Sequence, residues 1–434
     1  MDGQVFADRR RIVLDAIGPE GALVLAASPE LRVGADTELK YVVDADLYYL
    51  TGYSEPEAVA VLKPADPASF TLFVRPRDRA RETWTGRRGG VEAAREVIGA
   101  DAAWPIAELA ERLPKLLGDV QSIHTTFPSQ RPDVDRLITE VMAAGRRSRA
   151  RTGRGPERII DAGSILTGMR LIKDAREIEA IREAARISVS AFTEAAASIR
   201  PGAGEWQVEA AIEAAFRRQG ASGPSFPTIA ASGANATILH YVDNDRVMSA
   251  GELLLLDAGA RWRMYCADIT RTFPVGGRFD GANGDVYDIV LAAHDAAIAA
   301  VRPGATIADP HLAAQRIMVQ GMIDLGLVSG SAGALIAEGT RIATWNPHKT
   351  SHWLGLDVHD VGDYVRGGQP ARLEAGMVLT IEPGLYVPVE GDAPERLRGI
   401  GVRIEDDVLV TGDGSEVLTR ALPVSRPEVA ALVS

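Results

Sequence analysis

The sequence predicts an α/β N-terminal domain joined to an α+β domain, and three observations lead there. The chain has 434 residues, a length that suits two domains better than one. Its first third alternates short apolar runs with helical patterns. Beyond it, two apolar strands of matching layout each end on a carboxylate, among glycine turns and several long helical stretches.

In the first domain, Ala22–Ala27 (ALVLAA) forms a buried strand. Ala58–Leu62 and Phe70–Val74 form two more, split by a turn holding two prolines, which cannot donate to a sheet ladder. Helical spacing covers Val91–Ile98 and Ile106–Leu113, and Pro114 is expected to stop the second. Arg146–Arg158 carries six arginines with three glycines or prolines, and is expected to be a solvated helix end and linker rather than an anion-binding patch. The domains are accordingly placed at 1–168 and 169–434.

In the second, Asp174–Ser198 has Ile178, Ile181, Ala185 and Ile187 at roughly helical spacing, and Gly202 and Gly204 end that helix. Further helices are expected at Glu205–Gln219, Val286–Val301 and Ile307–Leu325. Gly251-ELLLL-Asp257 and Gly376-MVLTI-Glu382 repeat one layout: a glycine, five mostly apolar residues and an acid. A second acid follows each, Asp268 after Asp257 and Glu405 after Glu382. The echo suggests two halves of one domain, each giving two carboxylates to a common centre.

Composition narrows the function. At 46% hydrophobic and 24% charged, the chain is an ordinary globular protein with sizeable cores. A net charge of −12 repels phosphate backbones, so no nucleic-acid partner is expected. The single cysteine, Cys266, permits no internal disulfide and no cysteine-rich zinc framework. No apolar stretch suits a signal peptide or a membrane span, so a cytoplasmic location is expected. No Gly-rich phosphate loop and no Gly-x-Ser-x-Gly elbow is present.

A carboxylate at the end of an apolar strand needs a partner, because a buried charge is costly unless it is paired or binds a metal. Singly, Asp257, Asp268, Glu382 or Glu405 could be a turn acid, a helix cap or an ion-pair partner. The histidines change that balance. Three of the seven fall in His348–His359 (HKTSHWLGLDVH), and His240 lies in TILHYVDN ahead of Asp257. Histidine is the commonest metal ligand and titrates near neutral pH. His124, His294 and His311 sit in ordinary contexts. Four carboxylates with one imidazole make a hard, oxygen-rich site that two divalent cations can share. Mn2+ suits it best, Co2+ or Zn2+ are possible, and Mg2+ fits less well because it keeps its water.

At this point the sequence resembles a known family, the pita-bread metallopeptidases that include aminopeptidase P and prolidase. The likeness runs through DLYYLTGYSEPEAVAVL, ETWTGRRGG, GMRLIKDAREIEAIREAA, TILHY, LLLLDAG, ADITRTFPVGGRF, SHWLGLDVHDVG, GMVLTIEPGLYV and RGIGVRIEDDVLVT. It implies the creatinase/aminopeptidase fold. It implies Asp257, Asp268, His352, Glu382 and Glu405 as ligands of two metal ions. Glu382 would move the proton, His359 and His240 would assist catalysis and bind substrate, and His348 would help hold the proline ring. Arg403 would stand on the substrate side and orient nearby carboxylates, and Trp84 would help shape a neighbouring subunit's site. The implied activity is release of the N-terminal residue before a proline, by a homodimer or homotetramer. A dipeptidase reading stays open, with Arg366, Arg372 and Arg398 as candidates to hold a substrate carboxylate. A creatinase-like enzyme would not need the five ligands, and a binding module that has lost catalysis would lack several of them. Trp353 and Tyr386 are expected to be core residues.

Overall fold

The computed structural model describes residues 3–35 and 37–433. The chain falls into two compact units, 1–169 and 170–434. The first is built on one mixed sheet of β1 (Gly21–Ala26), β2 (Val59–Leu62), β3 (Phe70–Val74), β4 (Ala102–Pro105), β5 (Ser122–Thr125) and β6 (Arg158–Asp161). Their spatial order is β4-β3-β2-β1-β5-β6. β1 and β3 each pair antiparallel with β2, and the outer pairings are parallel. Strands covered on both faces need continuous apolar runs, as ALVL and AVL supply. One face packs Val24, Val61 and Phe73 against Leu113, Leu117, Ile138 and Val141 of two helices.

One of those helices corrects an expectation. Pro114 does not end its helix but lies inside Leu109–Leu117. A proline removes one backbone donor and crowds the carbonyl four residues back. Here Leu109, Leu113 and Leu117 form one buried stripe, and tertiary packing outweighs the lost bond. The arginine-rich segment is mostly the exposed last turns of the helix Pro132–Thr152, which stops at left-handed Gly153.

The second unit repeats one plan twice. Strand Leu253–Ala258 pairs antiparallel with Ile269–Pro274, and Val378–Ile381 with Asp406–Val410. Both pairs start from a glycine with positive φ, Gly251 at 83° and Gly376 at 94°. Gly251 N–H donates to Val275 O at 3.0 Å, and Gly376 N–H to Val410 O at 2.9 Å. Each glycine therefore turns the chain into the strand that carries an acid, where a side chain would strain the backbone. The two sheets meet where Glu405 N–H donates to Thr270 O at 3.0 Å.

Helices cover both halves. Ile187, Phe192, Ile212 and Phe216 of Ala175–Ala196 and Glu205–Arg218 pack on Leu254, Leu256 and Phe273. Val286, Val290, Met318 and Met322 of Gly281–Ala300 and Ala308–Leu325 pack on Leu379, Val402 and Val408. Asp174 starts the first helix by accepting from the N–H of Arg176 and Glu177, while Glu177 reaches back to the N–H of Asp174. Short helices at Ala332–Glu338 and Thr340–Ala343 add to those expected. No helix among the described residues is long and apolar enough to cross a membrane.

Candidate metal centre

A cavity of about 640 Å³ lies in the second unit where the two sheets meet. Asp257, Asp268, His352, Glu382 and Glu405 line it, together with His240, His348, His359 and Arg403. The rest of its wall is apolar: Phe226, Pro227, Ile229, Leu239, Val242 and Val358.

The strand pattern sets the acids here. Asp257 sits opposite Thr270, and Asp268 directly precedes that partner strand. Glu382 follows Ile381, which pairs with Asp406, so Glu382 and Glu405 end the second pair together. The segment 350–354 runs beside the Glu382 strand: Thr380 N–H donates to His352 O at 2.9 Å, and Glu382 N–H to Thr350 O at 2.8 Å. His352 Nε2 thereby stands 3.4 Å from Asp268 Oδ2 and 3.6 Å from Glu382 Oε1.

This donor set fits divalent cations. One ligand atom each of Asp268, His352 and Glu405 lies within 4.8 Å of the others. Asp257 Oδ1 and Asp268 Oδ1 are buried without a hydrogen-bond partner, which is costly unless something else meets them. Burial pushes the carboxyls of Asp268, Glu382 and Glu405 up, and their neighbours' negative charge adds to this for Asp268 and Glu405. Carboxylates this crowded do not all ionise unless a cation balances them. His352 Nδ1 donates to Trp353 O at 3.0 Å, which leaves the Nε2 lone pair facing Asp268 and Glu382.

Hydrogen bonds hold the acids from behind. Arg403 is buried and donates to Asp257 Oδ2 at 2.5 Å, to the Tyr386 hydroxyl at 2.9 Å and to Thr270 Oγ1 at 3.1 Å. Thr270 Oγ1 donates in turn to Glu405 Oε2 at 2.7 Å. Each guanidinium nitrogen of Arg403 makes one of these bonds, so the side chain orients the acids around it. The Tyr386 hydroxyl faces His348 Nε2 at 2.8 Å, and His348 Nδ1 faces the Lys349 carbonyl at 2.8 Å. Since a carbonyl only accepts, Nδ1 carries the proton and Nε2 accepts from Tyr386. Burial, then the Arg403 charge, lower His348 to about 4 and keep the ring neutral. Burial and His352 also lower His359, whose ring meets that of His352 edge-on at 4.4 Å.

Two groups of predicted residues stand elsewhere. Trp84, on the helix Arg79–Thr85 of the first unit, is 88% exposed and does not line the cavity. Arg366 pairs with Asp363, while Arg372 and Arg398 donate to the carbonyls of Gly304 and Ala393, and none of the three lines the cavity. Trp353 and Tyr386 are buried, as expected for core residues. Sequence reading missed the apolar wall. Its one local signal was adjacency to the histidines, as in Leu239-His240 and Val358-His359. It also missed Arg271, wholly buried, which donates to Asp406 and to the Glu405 carbonyl and so fixes the strand behind the acids.

Comparison with known proteins gives the family. Residues 179–412 match the model of metallopeptidase family M24, and residues 6–124 match the aminopeptidase P N-terminal domain. The chain is 40% identical over 433 residues to the Xaa-Pro aminopeptidase of Escherichia coli, covering 99% of this chain and 97% of that protein. The structure of Pseudomonas aeruginosa aminopeptidase PepP superposes with a TM-score of 0.95 at 39% identity, covering 100% of this chain and 98% of the other. Zinc-substituted Escherichia coli aminopeptidase P in complex with product gives a TM-score of 0.94 at 39% identity, with the same coverage. The chain therefore belongs to metallopeptidase family M24, in its aminopeptidase P branch, and has the pita-bread fold.

Proposed function

We propose that this metallopeptidase is a Xaa-Pro aminopeptidase. It releases the N-terminal residue from peptides with proline in second position, and Asp257, Asp268, His352, Glu382 and Glu405 hold two divalent cations, best supplied as Mn2+. The observation that carries this reading is the convergence of those five side chains, with three further histidines and Arg403, in one cavity whose remaining lining is apolar. Bound there, the ions would supply Lewis acidity and a water acidic enough to act as nucleophile at neutral pH.

The remaining work falls to the chain. Glu382 takes a proton from the attacking water and passes it to the leaving proline nitrogen. His359 and His240 donate hydrogen bonds to the substrate backbone around the scissile carbonyl. Both nitrogens of His348 are engaged, so it offers the proline a ring face. A peptide bond to proline has no N–H, so that side of the site needs no acceptor, and apolar groups such as Phe226, Leu239 and Val358 suit it. A dipeptidase must also hold the substrate's carboxylate. Arg403 is the one arginine among the described cavity residues, and its charge is already paired with Asp257, which favours the aminopeptidase. We also infer a cytoplasmic homodimer or homotetramer, in which exposed Trp84 is available to a neighbouring subunit.

The test compares an X-Pro dipeptide with an X-Pro-Y tripeptide as substrates of metal-stripped protein reloaded with Mn2+. The tripeptide is expected to be cut faster, between X and Pro. Cleavage of the dipeptide alone would replace this reading with a dipeptidase, and cleavage of neither would end it.

A further inference from the structure

The mechanism leaves one buried charged cluster unused. Arg170, Lys173 and Asp360 are 3%, 4% and 6% exposed. Arg170 Nη2 donates to Asp360 Oδ1 at 2.5 Å and to Asp357 Oδ2 at 2.8 Å, and Lys173 Nζ donates to Asp360 Oδ2 at 3.1 Å. Asp360 directly follows Val358-His359, both of which line the cavity. The loop folds tightly around this carboxylate. Asp360 N–H donates to Trp353 O at 2.9 Å, Gly355 N–H donates to Asp357 O at 3.1 Å, and a side chain at Gly355 would collide with Asp360. Lys173 N–H also donates to the carbonyl of Gly376, where the Glu382 strand begins, at 2.9 Å.

Buried ion pairs seldom add net stability over apolar packing, and in some proteins their role is to specify one geometry. A loop that must hold a reacting group gains most from such an anchor, because a shift of about 1 Å can cost about a hundredfold in rate. We propose that Arg170 and Lys173 are positioning residues: through Asp360 they set where His359 and Val358 stand against the substrate. This rests on the reading of His359 as a hydrogen-bond donor to the substrate.

The experiment is a double-mutant cycle on the full-length, Mn2+-loaded enzyme cleaving an X-Pro-Y peptide, with bound metal and melting temperature measured for each variant. Lys173→Met is expected to keep its metal and its KM within about twofold, while kcat falls roughly 10- to 100-fold. Lys173→Arg should recover most of that loss. In a His359→Ala background, adding Lys173→Met should cost less than about threefold, because residues acting through one group are not additive. Unchanged kcat in folded Lys173→Met would overturn the proposal. So would equal losses in both backgrounds, which would mark a purely structural role. If His359→Ala alone keeps full kcat, the reading of His359 falls and takes this proposal with it. That outcome is distinct from a slow His359→Ala beside a normal Lys173→Met, which sinks only the clamp. Should Lys173→Met not fold, Asp360→Glu keeps the charge and moves it by one methylene. It is expected to fold and to lower kcat without changing metal content, and an unchanged kcat would overturn the proposal equally.

Discussion

Glu382→Ala is expected to lower kcat on an X-Pro-Y peptide about a thousandfold, the range for loss of a positioned proton carrier, while the fold stands. The strand does not depend on this side chain. Its register is held by backbone bonds, including Glu382 N–H to Thr350 O at 2.8 Å, and the Thr380 hydroxyl reaches the carboxylate only at 3.4 Å. The side chain instead points at the histidines, 3.6 Å from His352 Nε2 and 3.5 Å from His348 Nδ1. Burial pushes its carboxyl up, which favours a group that must both accept and return a proton near neutral pH. Steady-state kinetics beside a circular-dichroism melt check this. Near-normal turnover in a folded Glu382→Ala enzyme would remove Glu382 from the mechanism.

Asp268→Asn should abolish both metal binding and turnover, and should make the metal-free protein more stable. The amide keeps the shape, and the Asp268 N–H still reaches Asp407, whose oxygens lie at 3.2 and 3.3 Å. What disappears is a buried charge. Burial, then Asp257, Asp407 and Glu382, raise the Asp268 carboxyl well above its usual range. A carboxyl raised on folding makes the native state bind more protons than the unfolded chain. Stability is therefore full below the unfolded pKa and is lost as pH rises towards the folded one. At pH 7 without metal that cost is present in the wild type and absent in the asparagine variant. Thermal melts with and without chelator should show a higher metal-free midpoint for Asp268→Asn. They should show a Mn2+-induced rise in the wild type alone, since a ligand stabilises only the state it binds. A variant that melts lower than the stripped wild type, or still responds to Mn2+, would contradict this account.

Local patterns carried much of this fold because they report local physics. The helical spacing of Ile178, Ile181, Ala185 and Ile187 marks its helix wherever that helix later packs. The two strands that run from a left-handed glycine to an acid could be matched by eye, since a carboxylate after four leucines is anomalous without a partner. The meeting of those acids was less visible. It depends on the bridge between Thr270 and Glu405, 135 residues apart, which no period in the sequence encodes. The apolar wall was hidden for the opposite reason, since Phe226 or Val242 looks like any other apolar residue until the chain folds. Pro114 misled because local propensity was weighed without the leucine stripe around it. Arg403 could be assigned to the site by resemblance, but its commitment to Asp257, Tyr386 and Thr270 emerges only in three dimensions.

The most direct test of the central claim is an ion count. Chelator-stripped protein is titrated with Mn2+, and bound metal per chain is measured beside cleavage of an X-Pro-Y peptide. The proposed sharing of five ligands between two cations predicts two ions per chain at saturation, with activity rising as the sites fill. Full activity with no bound ion would contradict the account, as would undiminished binding after replacement of both Asp257 and Glu405.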